Sequence, residues 1–288
     1  MDNNLKYSVI IPAHNEEQYL RLTLNSLLEQ TVLPQEVIVV DDNSSDNTPA
    51  IICEFSEKHP IIKPVRRTSA NQHLPGSKVV GTFNEGLPLL SKAYDVIVKL
   101  DADLILPPDY FQTILRVFQE HPEAGIAGGF AWEQDTHGAW RLNHPMNTDH
   151  VRGAFKSYSR ACFTKIGGLR TAMGWDTVDE LLARYYGFSV ITIPELKVKH
   201  LRPTGKSYNP RAKRLQGEAM YLMRYGWILA AIASLKMAVK QGKYQTFIHN
   251  LQGFAGARKK SLPPIVNQEE GRFIRTYRWK GIRSKLPF

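Results

Sequence analysis

Cysteine is almost absent: Cys53 and Cys162 are the only two in 288 residues, and neither stands in a C-x-x-C pair. A disulfide framework and a cysteine-based zinc site are therefore excluded. The chain also lacks G-x-G-x-x-G and the G-x-x-x-x-G-K-[ST] loop, which removes the simplest dinucleotide and P-loop readings. No apolar stretch approaches the roughly 20 residues that a membrane span needs. The longest clean run, Tyr225 to Leu235, is 11 residues. The opening Met1-Asp2-Asn3-Asn4-Leu5-Lys6 has no apolar secretory core, so the expected compartment is the cytoplasm.

Acidic residues are scarce in one region only. Residues 202–288 hold 18 Lys+Arg against 3 Asp+Glu, whereas 1–201 hold 19 against 24, so the net charge of +10 belongs to the tail. Such a tail faces anionic lipid, nucleic acid or plain solvent. No zinc or RNA-binding signature appears in it, so no nucleic-acid partner is expected. Tyr244, Phe247, Leu251 and Phe254 recur at helical spacing ahead of Arg258-Lys259-Lys260. That pattern suits a helix lying in a membrane interface, at the inner face of the cytoplasmic membrane. A helix packed on the rest of the chain is the alternative.

What is present is a strand–helix alternation. Tyr7–Pro12, Glu36–Val40, 61–66 and Asp95–Leu100 are short, β-branched runs of buried-strand character. Between them, leucines at 20, 24, 27 and 28, the Thr48-Pro49 start and a stretch over 79–92 read as helices, with Asn15 and Gln18 as a capping pair for the first. Helix is expected over 109–120 and 178–186, and strand over 125–133, 188–193 and 196–200, with a polar loop at 134–151. Near-continuous apolar strands separated by helices imply a parallel sheet covered on both faces. Ligands of such sheets sit beyond the strands' carboxyl ends, where Asp41, Asp42, Asp101 and Asp103 all fall.

Asp101-Ala102-Asp103 follows a buried strand and precedes Leu104-Ile105-Leu106. Two carboxylates one residue apart there can reach one hard cation, Mn²⁺ or Mg²⁺, which would neutralise a diphosphate leaving group. Asp41 and Asp42 offer acceptors for a uracil imide or a ribose hydroxyl, or else a capping turn. Trp175 offers an apolar platform for a sugar ring, or belongs to the core. His144 and His150 lie in a polar loop without a second ligand pair and read as solvated.

Ser8-Val9-Ile10-Ile11-Pro12-Ala13-His14-Asn15-Glu16 resembles the opening signature of the family 2 glycosyltransferases of GT-A fold. Val39-Val40-Asp41-Asp42-Asn43-Ser44-Ser45 resembles their second motif, and Asp101-Ala102-Asp103 their metal motif. Gly153-Ala154-Phe155 through Gly167-Gly168-Leu169 is similar to their acceptor-side segment. The resemblance covers 6–205. It implies an α/β GT-A fold with a mainly parallel central sheet flanked by helices. Residues 1–105 would be the nucleotide-binding half, 106–205 the acceptor half, and 206–288 a basic helical extension.

Carried over by position, Pro12, Ala13 and Glu16 would contact the nucleotide, and Asp41 or Asp42 its uracil or ribose. Lys78 would line the nucleotide pocket, Asp101 would face the donor sugar or ribose, and Asp103 would be the more direct metal ligand, completed by His200. Gly153 falls on the acceptor side. The general base would come from Gly174-Trp175-Asp176-Thr177-Val178-Asp179-Glu180, with Asp179 preferred slightly, Asp176 beside it and Glu180 behind. The implied reaction is inverting transfer from a nucleotide-diphosphate sugar, UDP-type favoured, to a glycan or lipid-linked hydroxyl. The alternatives are a nucleotidyltransferase acting on sugar phosphates, although Pro12–Glu16 lacks a basic triphosphate loop, and a non-catalytic protein that binds nucleic acid or membrane. Processive relatives carry Gln-x-x-Arg-Trp; here Arg275 stands in the glutamine's place ahead of Arg278-Trp279, which implies one addition per encounter.

Overall fold

A computed structural model of the chain describes residues 5–68, 76–91, 93–143, 149–202 and 212–284. Repeated strand–helix units open it: β1 (Tyr7–Ala13), α1 (Leu20–Leu28), β2 (Glu36–Asp42), α2 (Thr48–Lys58), β3 (Ile62–Arg67), α3 (Ser77–Gly86) and β4 (Val96–Leu100). The chain continues through β5 (Leu104–Ile105), α4 (Tyr110–Glu120), β6 (Ala124–Gln134), β7 (Trp140–Leu142), β8 (Phe155–Ser159), α5 (Arg160–Lys165), α6 (Trp175–Tyr185) and β9 (Ser189–His200). Helices α7 (Ala212–Leu222), α8 (Trp227–Gln241), α9 (Tyr244–Lys259) and α10 (Gln268–Arg283) follow.

One sheet runs in the order β3-β2-β1-β4-β8-β6-β9-β5, with β7 added to β6. Its first four strands are parallel, and beyond β4 the pairings are mixed. β1, β2 and β4 are buried almost end to end, because helices cover both faces of a parallel sheet and leave no solvated side to select polar residues. β3 is the edge, with alternating exposure and a proline at Pro64, which an edge strand tolerates. The chain turns from β1 toward β2 on one side and returns to β4 on the other, so a crevice opens beyond their carboxyl ends at this switch point.

The pattern misplaces several boundaries. The helix expected over 79–92 stops at Gly86 and gives way to a 3-10 turn, Leu87–Leu89, that contains Pro88. The two strands expected at 188–193 and 196–200 are one strand, β9, whose pairing with β6 slips between Gly128 and Phe130. The expected polar loop at 134–151 contains a short hairpin strand, β7, paired with β6. Asn15 does not cap α1, which begins at Leu20 after Tyr19 with no side-chain cap. Asn15 is left-handed (φ 56°), and its side chain accepts from Ser45 N–H at 2.8 Å. A bond to the neighbouring loop has won over a local cap.

Core packing joins the helical layer to the sheet through aromatic pairs. Tyr7 on β1 stacks on Phe111 of α4 with centroids 4.4 Å apart, and the Tyr7 hydroxyl donates to Val32 C=O at 2.6 Å. Phe111 is fully buried. Phe111→Ala should therefore leave a cavity and cost about 3–5 kcal/mol, measurable as a lower urea midpoint with an unchanged slope.

Candidate active site

The carboxylates at the crevice are held by loops that lace one another together. After β1, His14 Nδ1 lies 2.7 Å from the carbonyl of Asp42. The Asn15 N–H donates to Ser44 Oγ, and the Glu16 N–H to Thr48 Oγ1 at 2.7 Å. Glu17 and Asp46 exchange bonds with each other's loop. Pro12 and Ala13, which pair in register with Val40 and Asp41, are thereby fixed against the second acidic loop. Asp41 and Asp42 are both buried. Asp41 Oδ1 accepts from Ser44 N–H, and Asp42 Oδ2 accepts from Thr82 Oγ1 at 3.1 Å. Each keeps one buried oxygen with no partner among the described residues. Lys78 Nζ stands 3.6 Å from Asp42, so it neutralises that carboxylate.

The Asp101-Ala102-Asp103 turn is pinned from two sides. Thr23, buried on α1, donates to Ala102 C=O at 2.8 Å and accepts from Leu104 N–H at 2.9 Å. The Asp101 N–H donates to Ala154 C=O at 2.7 Å. β5 pairs with β9 so that Leu104 faces His200, and this pairing sets His200 Nε2 3.4 Å from Asp103 Oδ2. On its far side His200 Nδ1 stands 3.4 Å from Glu133 Oε1, which also meets Arg152. Arg202 bonds Glu16 at 2.5 Å and lies 3.9 Å from Asp103.

Electrostatics separates these groups. Burial works against charge on Asp103, but His200 and Arg202 outweigh it and hold the carboxyl below its ordinary range. Burial pushes Glu16 up to about 7, against the pull of Arg202 and with the help of Asp103 and Asp101. Asp101 is raised by burial, against the opposing charge of Lys99. Asp103 Oδ1 is buried and unpartnered among the described residues. That oxygen, with Asp101 and His200 near it, fits a hard divalent cation. Among the described residues no three His, Cys, Asp or Glu side chains stand as a ready-made cage.

Behind the crevice lie two buried lysines that sequence reasoning missed. Lys99 on β4 and Lys156 on β8 face each other across an antiparallel pair, and both are almost sealed from solvent. Lys99 is ion-paired to Asp101. Lys156 reaches Asp179 at 2.9 and 3.0 Å, Glu180 at 3.0 Å and the Asp176 carbonyl at 2.5 Å. The Trp175 ring stands over both ammonium groups, 5.2 and 5.9 Å from its centroid. Gly153 stands close to that ring. A Cβ there would come within 2.8 Å of Trp175 and 3.1 Å of Asp176, so only glycine lets the loop approach. Trp175 is 6% exposed and is committed to this roof more than to an open platform. A lysine inside Val96-Ile97-Val98-Lys99-Leu100 was the available clue.

The two candidate bases are divided by burial. Asp179 is 1% exposed; besides Lys156, its oxygens accept from Tyr158 Oη at 2.5 Å and Glu180 N–H at 2.6 Å. Burial pushes it up to about 6, against the pull of Lys156. Glu180 is buried too, but Lys156 and His150 overcome that burial and bring it down to about 2. His150 lies 3.0 Å from Glu180, so it is paired, contrary to the solvated reading. His144 lies outside the described residues. Asp176, in the first turn of α6, is half-buried. Its neighbour Thr177 lines a cavity of about 280 Å³ with His150, Arg184, Tyr277 and Arg278.

The family description "Glycosyl transferase family 2" matches residues 8–174, and the chain belongs to that family. An uncharacterized glycosyltransferase of Nostoc sp. is 35% identical over 123 residues, 42% of this chain and 35% of the relative. The poly-β-1,6-N-acetyl-D-glucosamine synthase of Staphylococcus epidermidis is 30% identical over 125 residues, 42% of this chain and 27% of the relative. The chain thus spans about a third of the length of these curated relatives. A mannosyltransferase from Pyrobaculum calidifontis, solved with GDP-Man and Mn²⁺, superimposes with a TM-score of 0.59 over 98% of this chain and 81% of its own, at 18% identity. That likeness shows the GT-A fold.

Asp179→Asn removes the main counter-charge of a buried ammonium and should cost about 3–5 kcal/mol in urea unfolding. Asp176→Asn, on a half-exposed turn, should change stability by no more than about 0.5 kcal/mol. Glu180 has a folded pKa of about 2, below the ordinary 4.5. Its contribution is present above pH 4.5 and is lost as the pH falls toward 2. Acid unfolding of Glu180→Gln should accordingly depend less on pH across that window than unfolding of the unaltered chain.

Proposed function

We propose that this chain transfers a sugar, with inversion, from a nucleoside-diphosphate donor to a hydroxyl of a glycan or lipid-linked acceptor. The observation that carries the reading is the placement of Asp41, Asp42, Asp101 and Asp103 at the carboxyl ends of β2 and β4, which flank β1 in parallel, with the half-buried Asp176 in the first turn of α6. Asp41 and Asp42 each offer a buried, unpartnered oxygen to a base imide or ribose hydroxyl, which keeps a uridine donor favoured. Pro12, Ala13 and Glu16 would border the nucleotide, and Asp101 the donor sugar or ribose. Family membership counts against the nucleotidyltransferase alternative.

Asp176 is the better general base. Its carboxylate lies outside the buried network, whereas both oxygens of Asp179 are saturated and faced inward. In the transfer, the acceptor oxygen bonds to the anomeric carbon, its proton passes to Asp176, and the bond from that carbon to the diphosphate oxygen breaks. Asp103, with Asp101 and His200, would hold Mn²⁺ or Mg²⁺. That cation, when bound, would supply charge for the departing diphosphate. Arg202, beside Asp103, adds a fixed positive group at the same edge, and Lys78 is spent on Asp42. The cavity along α6 suits the acceptor side.

Arg275 bonds the Arg224 carbonyl at 2.8 Å within the helical extension, whereas Arg278 bonds the Tyr225 hydroxyl at 2.9 Å and lines the α6 cavity. The reading of one addition per encounter therefore rests on Arg275 standing where processive relatives carry glutamine.

Asp176→Asn should lower turnover by about 10²–10⁴ while a thermal-shift titration with nucleoside diphosphate still shows binding. Asp103→Ala should abolish both Mn²⁺-stimulated turnover and the Mn²⁺-induced rise in unfolding temperature, with the fold retained. Full activity of Asp103→Ala in excess chelator would sink the metal assignment.

A further inference from the structure

Helix α8 has two apolar faces, and the chain covers only one. Leu229, Ala230, Ser234 and Ala238 are buried, with Ser234 Oγ 3.9 Å from Met220 of α7. α9 packs beneath, crossing α7 so closely that a Cβ on Gly217 or Gly253 would strike the partner backbone at 1.7 or 2.0 Å. On the opposite side of α8, Ile228 is 67% exposed, Leu235 55% and Val239 73%, with Ile232 between them. Spacings of four, three and four residues make these a single line along the helix. Tyr244 and Ile248, at the start of α9 after the turn at Gly242, are also exposed.

Single exposed apolar residues are ordinary, but a line of them on one helix marks an interaction surface. The charge around it says what covers it. From Ala219 to Gln268 there is no Asp or Glu, against seven Lys or Arg. Lys236, Lys240 and Lys243 are exposed around the stripe, and the Arg258 guanidinium lies 5.9 Å from the half-exposed Trp227 ring. A second copy meeting it through the same face would set cation against cation. Nucleic acid would take the lysines and leave the aliphatic line in water. An anionic bilayer satisfies both, with acyl chains for the stripe and headgroup phosphates for the ammonium groups. No helix among the described residues is long and apolar enough to cross a membrane, so the contact lies along the surface.

We infer that α8 and the start of α9 dock the chain in the plane of an anionic membrane, with Ile228, Ile232, Leu235 and Val239 inserted at the acyl boundary. The surface assigned from sequence periodicity was a different one. Of Tyr244, Phe247, Leu251 and Phe254, only Tyr244 is exposed, and Phe254 is packed against Tyr221 and Trp227. The inference deepens the lipid-linked-acceptor reading and rests on it only for its purpose, since docking is measurable without turnover.

The test is co-sedimentation of the full chain with phosphatidylcholine vesicles, with and without phosphatidylglycerol. The chain should pellet with the anionic vesicles and largely stay in solution with the neutral ones. Leu235→Asp/Val239→Asp should weaken that binding roughly tenfold or more, and Lys236→Gln/Lys240→Gln/Lys243→Gln should erase the preference for phosphatidylglycerol. Both variants should keep the unfolding temperature and the nucleoside-diphosphate thermal shift. Ile228→Asp serves as an independent lesion of the stripe should the double variant lose stability. Equal binding to both vesicles, binding untouched by the stripe variants, or a solution dimer that the stripe variants dissociate would overturn the inference. A missing nucleotide shift with intact vesicle binding would instead count against the transfer reading alone.

Discussion

Lys99 and Lys156 sit opposite one another on paired strands, sealed from water, and two like charges so placed repel unless each is answered. Asp101 answers the first. The second is answered by a single stretch of α6, which delivers the Asp176 carbonyl and the carboxylates of Asp179 and Glu180 at spacings of three and four residues. Trp175, at the head of that helix, covers both cations with the face of one ring. Asp101 and the first turn of α6 are therefore tied to paired positions of β4 and β8, and the spacing of that strand pair sets the distance between them.

The same economy appears in the loops after β1 and β2. They satisfy each other's backbone groups through Asn15, Glu17, Ser44, Asp46 and Thr48. Buried oxygens of Asp41, Asp42 and Asp103 are left without protein partners among the described residues. Buried carboxylate oxygens are costly to leave bare. A region whose backbone is satisfied with such care, yet whose carboxylates keep one oxygen in reserve, has the chemistry of a binding surface. In the helical extension the logic is inverted: there the apolar groups are left over, and the cations around them carry the information about what they meet.

Much of the fold was legible along the chain because the signals are local. β-branched runs bounded by acidic turns read as the parallel strands, and Thr48-Pro49 reads as the start of α2. Asn15 was misread because capping competes with a bond to Ser45, a residue that is adjacent only after β1 and β2 pair. The choice between Asp179 and Asp176 stays open along the chain for a similar reason. Both carboxylates lie near the start of α6, and sequence spacing cannot say which one turns toward Lys156 and Tyr158. Phe247, Leu251 and Phe254 lie on a helix as their spacing predicted, but periodicity does not say that Phe254 packs against Tyr221 and Trp227 instead of meeting lipid.

The sequence by itself determined the alternation of strands and helices, the acidic residues at the strand ends, the basic tail and the family to which the chain belongs. Each depends on residue type and short spacing, which chain order preserves. Only the tertiary structure decided that His200 meets Asp103 through β5–β9 pairing, that Lys99 and Lys156 share one roof, and that Asp179 is sealed while Asp176 is not. It also decided that the bare apolar line belongs to α8. These are statements about partners scores of residues away, and burial and counter-charge are assigned only when those partners arrive.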